Sequence, residues 1–204
     1  MPAIKMVTIP GPAGKLEVVV HMPNVAPHAI AVVAHPLPTM SGTMENKIVT
    51  TLTKTFAELG FAALRFNFRG VGASSGEFDD GNGEVEDALA VTRYALSEYG
   101  NLPLILSGFS FGGYVQARAA QQLPPHQLVL IAPAVMRNAM PPVPRNTLLV
   151  HGELDEVVSL TDVMQWARPQ RLPIVVLSGV EHFFHGRLDQ LKAIVRHNFI
   201  GQAL

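Results

Sequence analysis

The chain has 204 residues, a formal net charge of -1 from 15 Lys and Arg against 16 Asp and Glu, and no cysteine. That length suits one domain over residues 1–204. The near-neutral charge, with no basic cluster, excludes a nucleic-acid footprint, and the lack of cysteine excludes disulfides, thiolate nucleophiles and cysteine-ligated metals. Charged residues make up 15% and hydrophobic ones 48%, against roughly 25% charged in a typical soluble chain, which suits a parallel sheet covered on both faces.

In chain order, residues 3–22 are two apolar runs divided by Gly11-Pro12-Ala13-Gly14, the pattern of an antiparallel hairpin. Lys5, Pro10 and Lys15 interrupt this stretch as a signal-peptide core would not allow. No apolar run reaches the roughly 20 residues that cross a bilayer, so a cytoplasmic protein without a membrane span is expected. A β-branched run over 30–34 ends at His35-Pro36, and across 46–59 Ile48, Leu52, Phe56 and Leu59 recur at helical spacing before Gly60 stops the helix. A strand over 61–68, a helix over 85–99 and a strand over 102–106 running into Gly108 follow. The remainder reads as a helix near 111–122, strands over 128–131 and 147–150, a helix near 160–167, a strand over 174–177 and a helix over 188–199. A hairpin followed by repeated βα units specifies an α/β fold, an open and mostly parallel sheet with helices on both faces. Ligands bind such sheets beyond the carboxyl ends of the strands, which points to the loops 35–43, 69–83, 107–113, 151–158 and 178–186.

Gly108-Phe109-Ser110-Phe111-Gly112 fits GxSxG, a serine on a tight strand-to-helix turn. A chain of this length holds such a pentapeptide by chance on the order of one time in ten, so context decides. A strand before it and a helix after it give the context of a nucleophile elbow rather than of a glycine turn that merely packs a helix. A serine hydroxyl needs a base within hydrogen-bond reach and an acid that orients the base, and the order Ser, Asp, His places both downstream. Three carboxylates, Glu153, Asp155 and Glu156, follow the strand over 147–150. Asp155 is preferred because it precedes the apolar pair Val157-Val158 that anchors the loop, while a solvated charge cluster is the alternative. Of the histidines beyond it, His197 falls inside the last helix. His182 is preferred to His185 because it lies nearer the turn at Gly179, with both still able to share one helical turn. A metal site made from these two lacks a third ligand. Glu181 is either a partner that raises the histidine's basicity or a solvated neighbour.

Acyl transfer also needs backbone donors aimed at the developing oxyanion, one from the residue after the nucleophile and one from the loop after the third strand. Phe111 supplies the first. In His35-Pro36-Leu37-Pro38 the prolines carry no N–H, which leaves Leu37 as the second unless His35-Pro36 simply ends a strand.

His35-Pro36, Gly42-Thr43-Met44 with Asn46-Lys47, the stretch from Leu64 to Ser74, Gly108 to Gly113, His151-Gly152 with Asp155, and His182-Phe183-Phe184 together resemble the α/β-hydrolase superfamily, in particular its small bacterial members without a lid domain. The likeness covers nearly the whole chain. It implies an α/β-hydrolase fold with Ser110 as nucleophile, Asp155 as acid, His182 as base, and Leu37 and Phe111 as oxyanion donors. The chain departs from the family's usual pattern at Leu37, where a second histidine is common, at Ser41 (glycine) and at Glu181 (aspartate); these positions bear on substrate preference. Relatives that act on large substrates insert a lid before the acid strand. Here residues 132–146, with Pro133, Pro141, Pro142 and Pro144, leave no room for a helical cap. An open cleft is expected, with Leu37, Met40, Phe111, Val135, Met136, Met140, Phe183 and Phe184 as its apolar lining.

The reading that follows is a serine hydrolase that cleaves carboxylic esters through an acyl-enzyme, with no metal and no organic cofactor. Thioesters, amides and peptides would use the same machinery. A dehalogenase would need a carboxylate at Ser110 and a dienelactone-type enzyme a cysteine. A non-catalytic binding protein on this scaffold is the alternative from another class. The low charge content is also compatible with an association surface in a homodimer.

Overall fold

The computed structural model describes residues 3–137 and 140–200. The opening hairpin pairs β1 (Ala3–Gly11) with β2 (Gly14–Met22) antiparallel, from Ala3 opposite Met22 to Gly11 opposite Gly14, so that Pro12 and Ala13 make the turn. It joins β3 (Ala29–Ala34), β4 (Phe61–Phe66), β5 (Leu104–Phe109), β6 (Gln127–Ile131), β7 (Leu148–Gly152) and β8 (Val175–Leu177) in one sheet ordered β1-β2-β4-β3-β5-β6-β7-β8. β2 runs antiparallel to β4, and every pairing from β4 through β8 is parallel. This is the mostly parallel α/β-hydrolase sheet with an antiparallel N-terminal hairpin.

Among the described residues five α-helices cover the sheet: α1 (Lys47–Glu58), α2 (Asn82–Tyr99), α3 (Phe111–Gln122), α4 (Leu160–Ala167) and α5 (Leu188–Phe199). Strand side chains alternate between faces, and β3 shows how two cores result. Ile30, Val32 and Ala34 pack with Leu89 of α2, Val115 of α3 and Val163 of α4 on one side. Ala29, Ala31 and Val33 pack with Phe56 of α1 and Leu191 of α5 on the other. A strand buried on both faces explains its unbroken run of apolar residues, and full burial of each large aliphatic side chain stabilises by roughly 1.5–3 kcal/mol.

Three of the boundaries that differ from the sequence reading have clear local reasons. α2 begins at Asn82 rather than residue 85, because Glu84 reaches back to the Gly81 and Asp79 N–H groups at 2.7 and 2.9 Å while Asp79 caps Gly83 at 3.0 Å. β4 ends at Phe66, since the Asn67 side chain accepts from Met44 N–H and the Phe68 N–H donates to His35. β5 continues through Gly108 to Phe109, pairing with β6 as far as Ile131. Between β6 and β7 the described residues contain no helix. No helix among the described residues is long and apolar enough to cross a membrane.

Candidate active site

Ser110 stands at the junction of β5 and α3 with φ 54° and ψ -116°. A side-chain-bearing residue at positive φ costs on the order of 1–3 kcal/mol, which the surroundings must offset. They do so through the backbone. The Ser110 N–H donates to Ile131 O at 2.9 Å, and its carbonyl accepts from Gly113 at 2.9 Å and Ala134 at 3.1 Å. The motif's glycines are spatial requirements: a Cβ on Gly108 would lie 2.2 Å from Gly112 O, and one on Gly112 would lie 2.3 Å from Ala34 O.

Loops from the ends of β5, β7 and β8 bring Ser110, Asp155 and His182 together. His182 Nε2 is 3.1 Å from Ser110 Oγ, and Nδ1 is 2.7 Å from Asp155 Oδ2. With Nδ1 donating to the carboxylate, Nε2 is left free to accept the hydroxyl proton. Asp155 is aimed by its own loop, since Oδ1 accepts from the N–H groups of Val157 and Val158 at 2.9 and 2.8 Å. His151, buried at the end of β7, donates from Nε2 to Val158 O at 2.9 Å and lies 3.5 Å from Asp155 Oδ2. Burial works to raise the Asp155 pKa, but the bonds from His182 and Val158 N–H and the nearby imidazoles outweigh it and hold the carboxyl below its ordinary range.

The rival carboxylates and histidine are engaged elsewhere. Glu153 accepts from Ser178 Oγ and Gly179 N–H at 2.7 and 2.8 Å, and Glu156 is exposed. Glu181 accepts from the N–H groups of Phe183 and His185 at 3.1 and 2.8 Å and pairs with the exposed His185 ring at 2.8 Å. It therefore serves its own turn and makes no hydrogen bond with the His182 ring.

On the opposite wall, Leu37 precedes a short 3-10 turn at Pro38–Met40, and its carbonyl accepts from Met40 and Gly42 N–H. The N–H groups of Leu37 and Phe111 both lie where a helical turn begins and no earlier turn supplies an acceptor. The Leu37 loop is fixed from behind by His35, which is completely buried and tilted against Phe68. Its Nδ1 donates to Pro36 O at 2.7 Å, and its Nε2 accepts from Phe68 N–H at 3.1 Å. Burial drives its pKa down to about 4 against the opposing pull of the Pro36 bond. The stretch after β4 continues this support: Asn67 accepts from Met44 N–H at 2.9 Å and donates to Glu17 at 2.8 Å.

These walls enclose a cleft of about 560 Å³. Ser110 and His182 open into it, and Leu37, Met40, Phe111, Met136 and Phe183 line it as the sequence suggests. Three expected lining residues do not. Val135 and Met140 are buried in the core beside α3 and α4, and Phe184 is fully buried in the core beside α1 and α5. Apolar type marks burial and cleft lining alike; only the turn geometry separates exposed Met136 from Val135 and exposed Phe183 from Phe184. The cleft takes in Ser41, one of the departures that bear on substrate preference, and also Asn46, Arg137, Val157 and Asp162, which the sequence reading did not place there. Asp162 had one legible signal, its place in the first turn of the helix after the Asp155 loop. Arg137 ion-pairs with Asp80 and stacks its guanidinium over Phe111. Among the described residues no group of three or more His, Asp or Glu side chains is gathered to hold a metal.

Residues 26–150 match the family model described as serine aminopeptidase, S33. An α/β serine hydrolase homologue from Coxiella burnetii superposes with TM-score 0.89 at 40% identity, covering 96% of this chain and 97% of its own. An α/β serine hydrolase without a lid from Xanthomonas campestris does so with TM-score 0.91 at 39% identity, covering 96% and 93%. A protein of Rickettsia prowazekii is 30% identical over 93% of this chain and 86% of its own. With its sheet, its elbow and its lidless cleft, the chain belongs to this serine aminopeptidase family of α/β serine hydrolases.

Proposed function

We propose that the protein hydrolyses carboxylic esters through an acyl-enzyme on Ser110, with His182 as base and Asp155 as the acid that orients it. The observation that carries this reading is the hydrogen-bonded chain from Asp155 through His182 to Ser110 Oγ at the floor of a largely apolar cleft. Ser110 Oγ attacks the ester carbonyl as His182 Nε2 takes its proton, and the imidazolium is stabilised by the Asp155 carboxylate. The oxyanion develops toward the N–H groups of Leu37 and Phe111, donors that need no reorganisation when charge appears. As the tetrahedral intermediate collapses, His182 gives its proton to the leaving alcohol. A water then enters, loses its proton to His182 and attacks the acyl carbon. The second collapse releases the carboxylic acid and returns the proton to Ser110.

The family's description names peptides as an alternative. Recognition of a peptide's free amino terminus calls for an anionic partner, and among the described residues the lining offers a single carboxylate, Asp162, which accepts a 2.7 Å bond from Ser159 Oγ on one oxygen and keeps acceptor capacity on the other. The apolar character of the remaining wall favours the ester.

Intact mass after exposure to a fluorophosphonate tests the reading, followed by hydrolysis of short p-nitrophenyl esters. A single adduct on wild type, absent from Ser110→Ala, is expected, together with a loss of hydrolysis of at least about 10³-fold in the variant. Folded wild-type protein that takes no adduct overturns the activated serine. An adduct without ester turnover moves the reading to amides.

A further inference from the structure

The cleft is not the end of the apolar space beside Ser110. A second cavity of about 160 Å³ lies next to it, where Ile48, Phe184 and Leu188 give an apolar floor and Lys47, His185 and Gly186 complete the lining. The two spaces have two lining residues in common, Asn46 and Phe183. Asn46 is not free to move aside, because its side chain caps α1 by accepting from Ile48 N–H at 2.9 Å. Phe183 is different. Its backbone is held by the bond from its N–H to Glu181, but the residue is 44% exposed, and its ring lies edge-on to His182 at 5.1 Å, beside Phe109 at 6.1 Å and against the exposed His185 ring at 5.9 Å. The movable part of the wall is therefore the Phe183 ring.

The chemistry says which part of a substrate meets that wall. His182 Nε2 must deliver a proton to the leaving oxygen, so the alcohol portion of the ester departs on the His182 side, where Phe183 stands in contact with the imidazole. The acyl portion and the oxyanion occupy the opposite side, toward Leu37 and Phe111. We infer that Phe183 is the residue that sets how long an alcohol the enzyme accepts, closing the leaving-group side against the second cavity, whose apolar floor would take an alkyl chain once the ring is removed. This rests on the ester reading above.

Two ester series separate the claims: alkyl acetates from ethyl to octyl vary the alcohol, and p-nitrophenyl esters from acetate to octanoate vary the acyl chain. Phe183→Ala is expected to raise the octyl-to-ethyl ratio of kcat/KM by about tenfold or more, the scale of discrimination that an apolar pocket gives, with the acyl-series ratio unchanged. Phe183→Trp, which thickens the wall, is expected to lower the same ratio. Because Phe183 touches His182, the absolute rates of both variants are expected to fall; a ratio within one variant is insensitive to that common factor. Equal shifts in both series, or an unchanged alcohol ratio in variants whose Tm matches wild type, overturn the assignment. Wild type inactive on both series sinks the ester reading itself and the inference with it, a failure visible before any variant is made.

Discussion

His35 makes two hydrogen bonds that together demand one protonation state, a proton on Nδ1 for Pro36 O and a lone pair on Nε2 for Phe68 N–H. Protonation would set two N–H groups against each other behind the Leu37 loop. Its folded pKa of about 4 lies below the ordinary 6.5, so between these values the unfolded chain binds a proton that the folded one refuses. Stability from this residue is complete above 6.5 and drains away as pH falls through the window. From about pH 7 to about pH 5 that amounts to about 2 kcal/mol. His35→Asn keeps a donor and an acceptor but cannot titrate. It is expected to be less stable than wild type near neutrality and to lose about 2 kcal/mol less over the same interval, measured by urea unfolding at the two pH values. Equal pH slopes for the two proteins count against a buried neutral His35.

At the scale of elements, one contact ties the loop after β4 to α2. Asp87 is fully buried and accepts from Arg69 N–H, Nε and Nη2 at 2.9, 3.0 and 2.9 Å. Removing one member of such a pair leaves an uncompensated buried charge, so Asp87→Ala is expected to cost about 3–5 kcal/mol, read as a lowered urea midpoint. Nothing in the sequence pairs these residues, because their contact depends on where α2 starts. The same dependence explains which parts of the chain were legible beforehand. α4 and α5 depend on their own periodicity and were placed to the residue. The start of α2 depends on the Glu84 carboxylate finding Asp79 and Gly81 across a turn, and was read three residues late. Gly108 looked like loop because its glycine serves the close approach of Gly112, although its backbone remains in the sheet. In the site, residues fixed by chemistry and chain order were legible. Val135, Met140 and Phe184 were not, because being apolar does not say which way a side chain turns.

On the whole molecule, the sheet's carboxyl edge gathers residues far apart in sequence: Ser110 and His182 are 72 positions apart, and His182 and Asp155 are 27. No fragment of the chain carries the site. The cleft they build has an apolar rim left open, with Met40 77%, Met136 72% and Val157 63% exposed, and no helix among the described residues between β6 and β7 to cover it. A lipase whose lid opens on contact with an oil surface gains activity there because the interface shifts a closed population to an open one. Among the described residues no such lid covers this cleft. Its rate against a sparingly soluble ester such as tributyrin is expected to rise smoothly as dissolved substrate increases and to level off at the solubility limit. A sharp upturn as droplets form would mean that some other part of the chain gates the cleft. On the ester reading proposed above, the same openness would leave the acyl-enzyme in reach of any dissolved nucleophile, so an added short alcohol is expected to divert part of the acyl group from acid into a new ester.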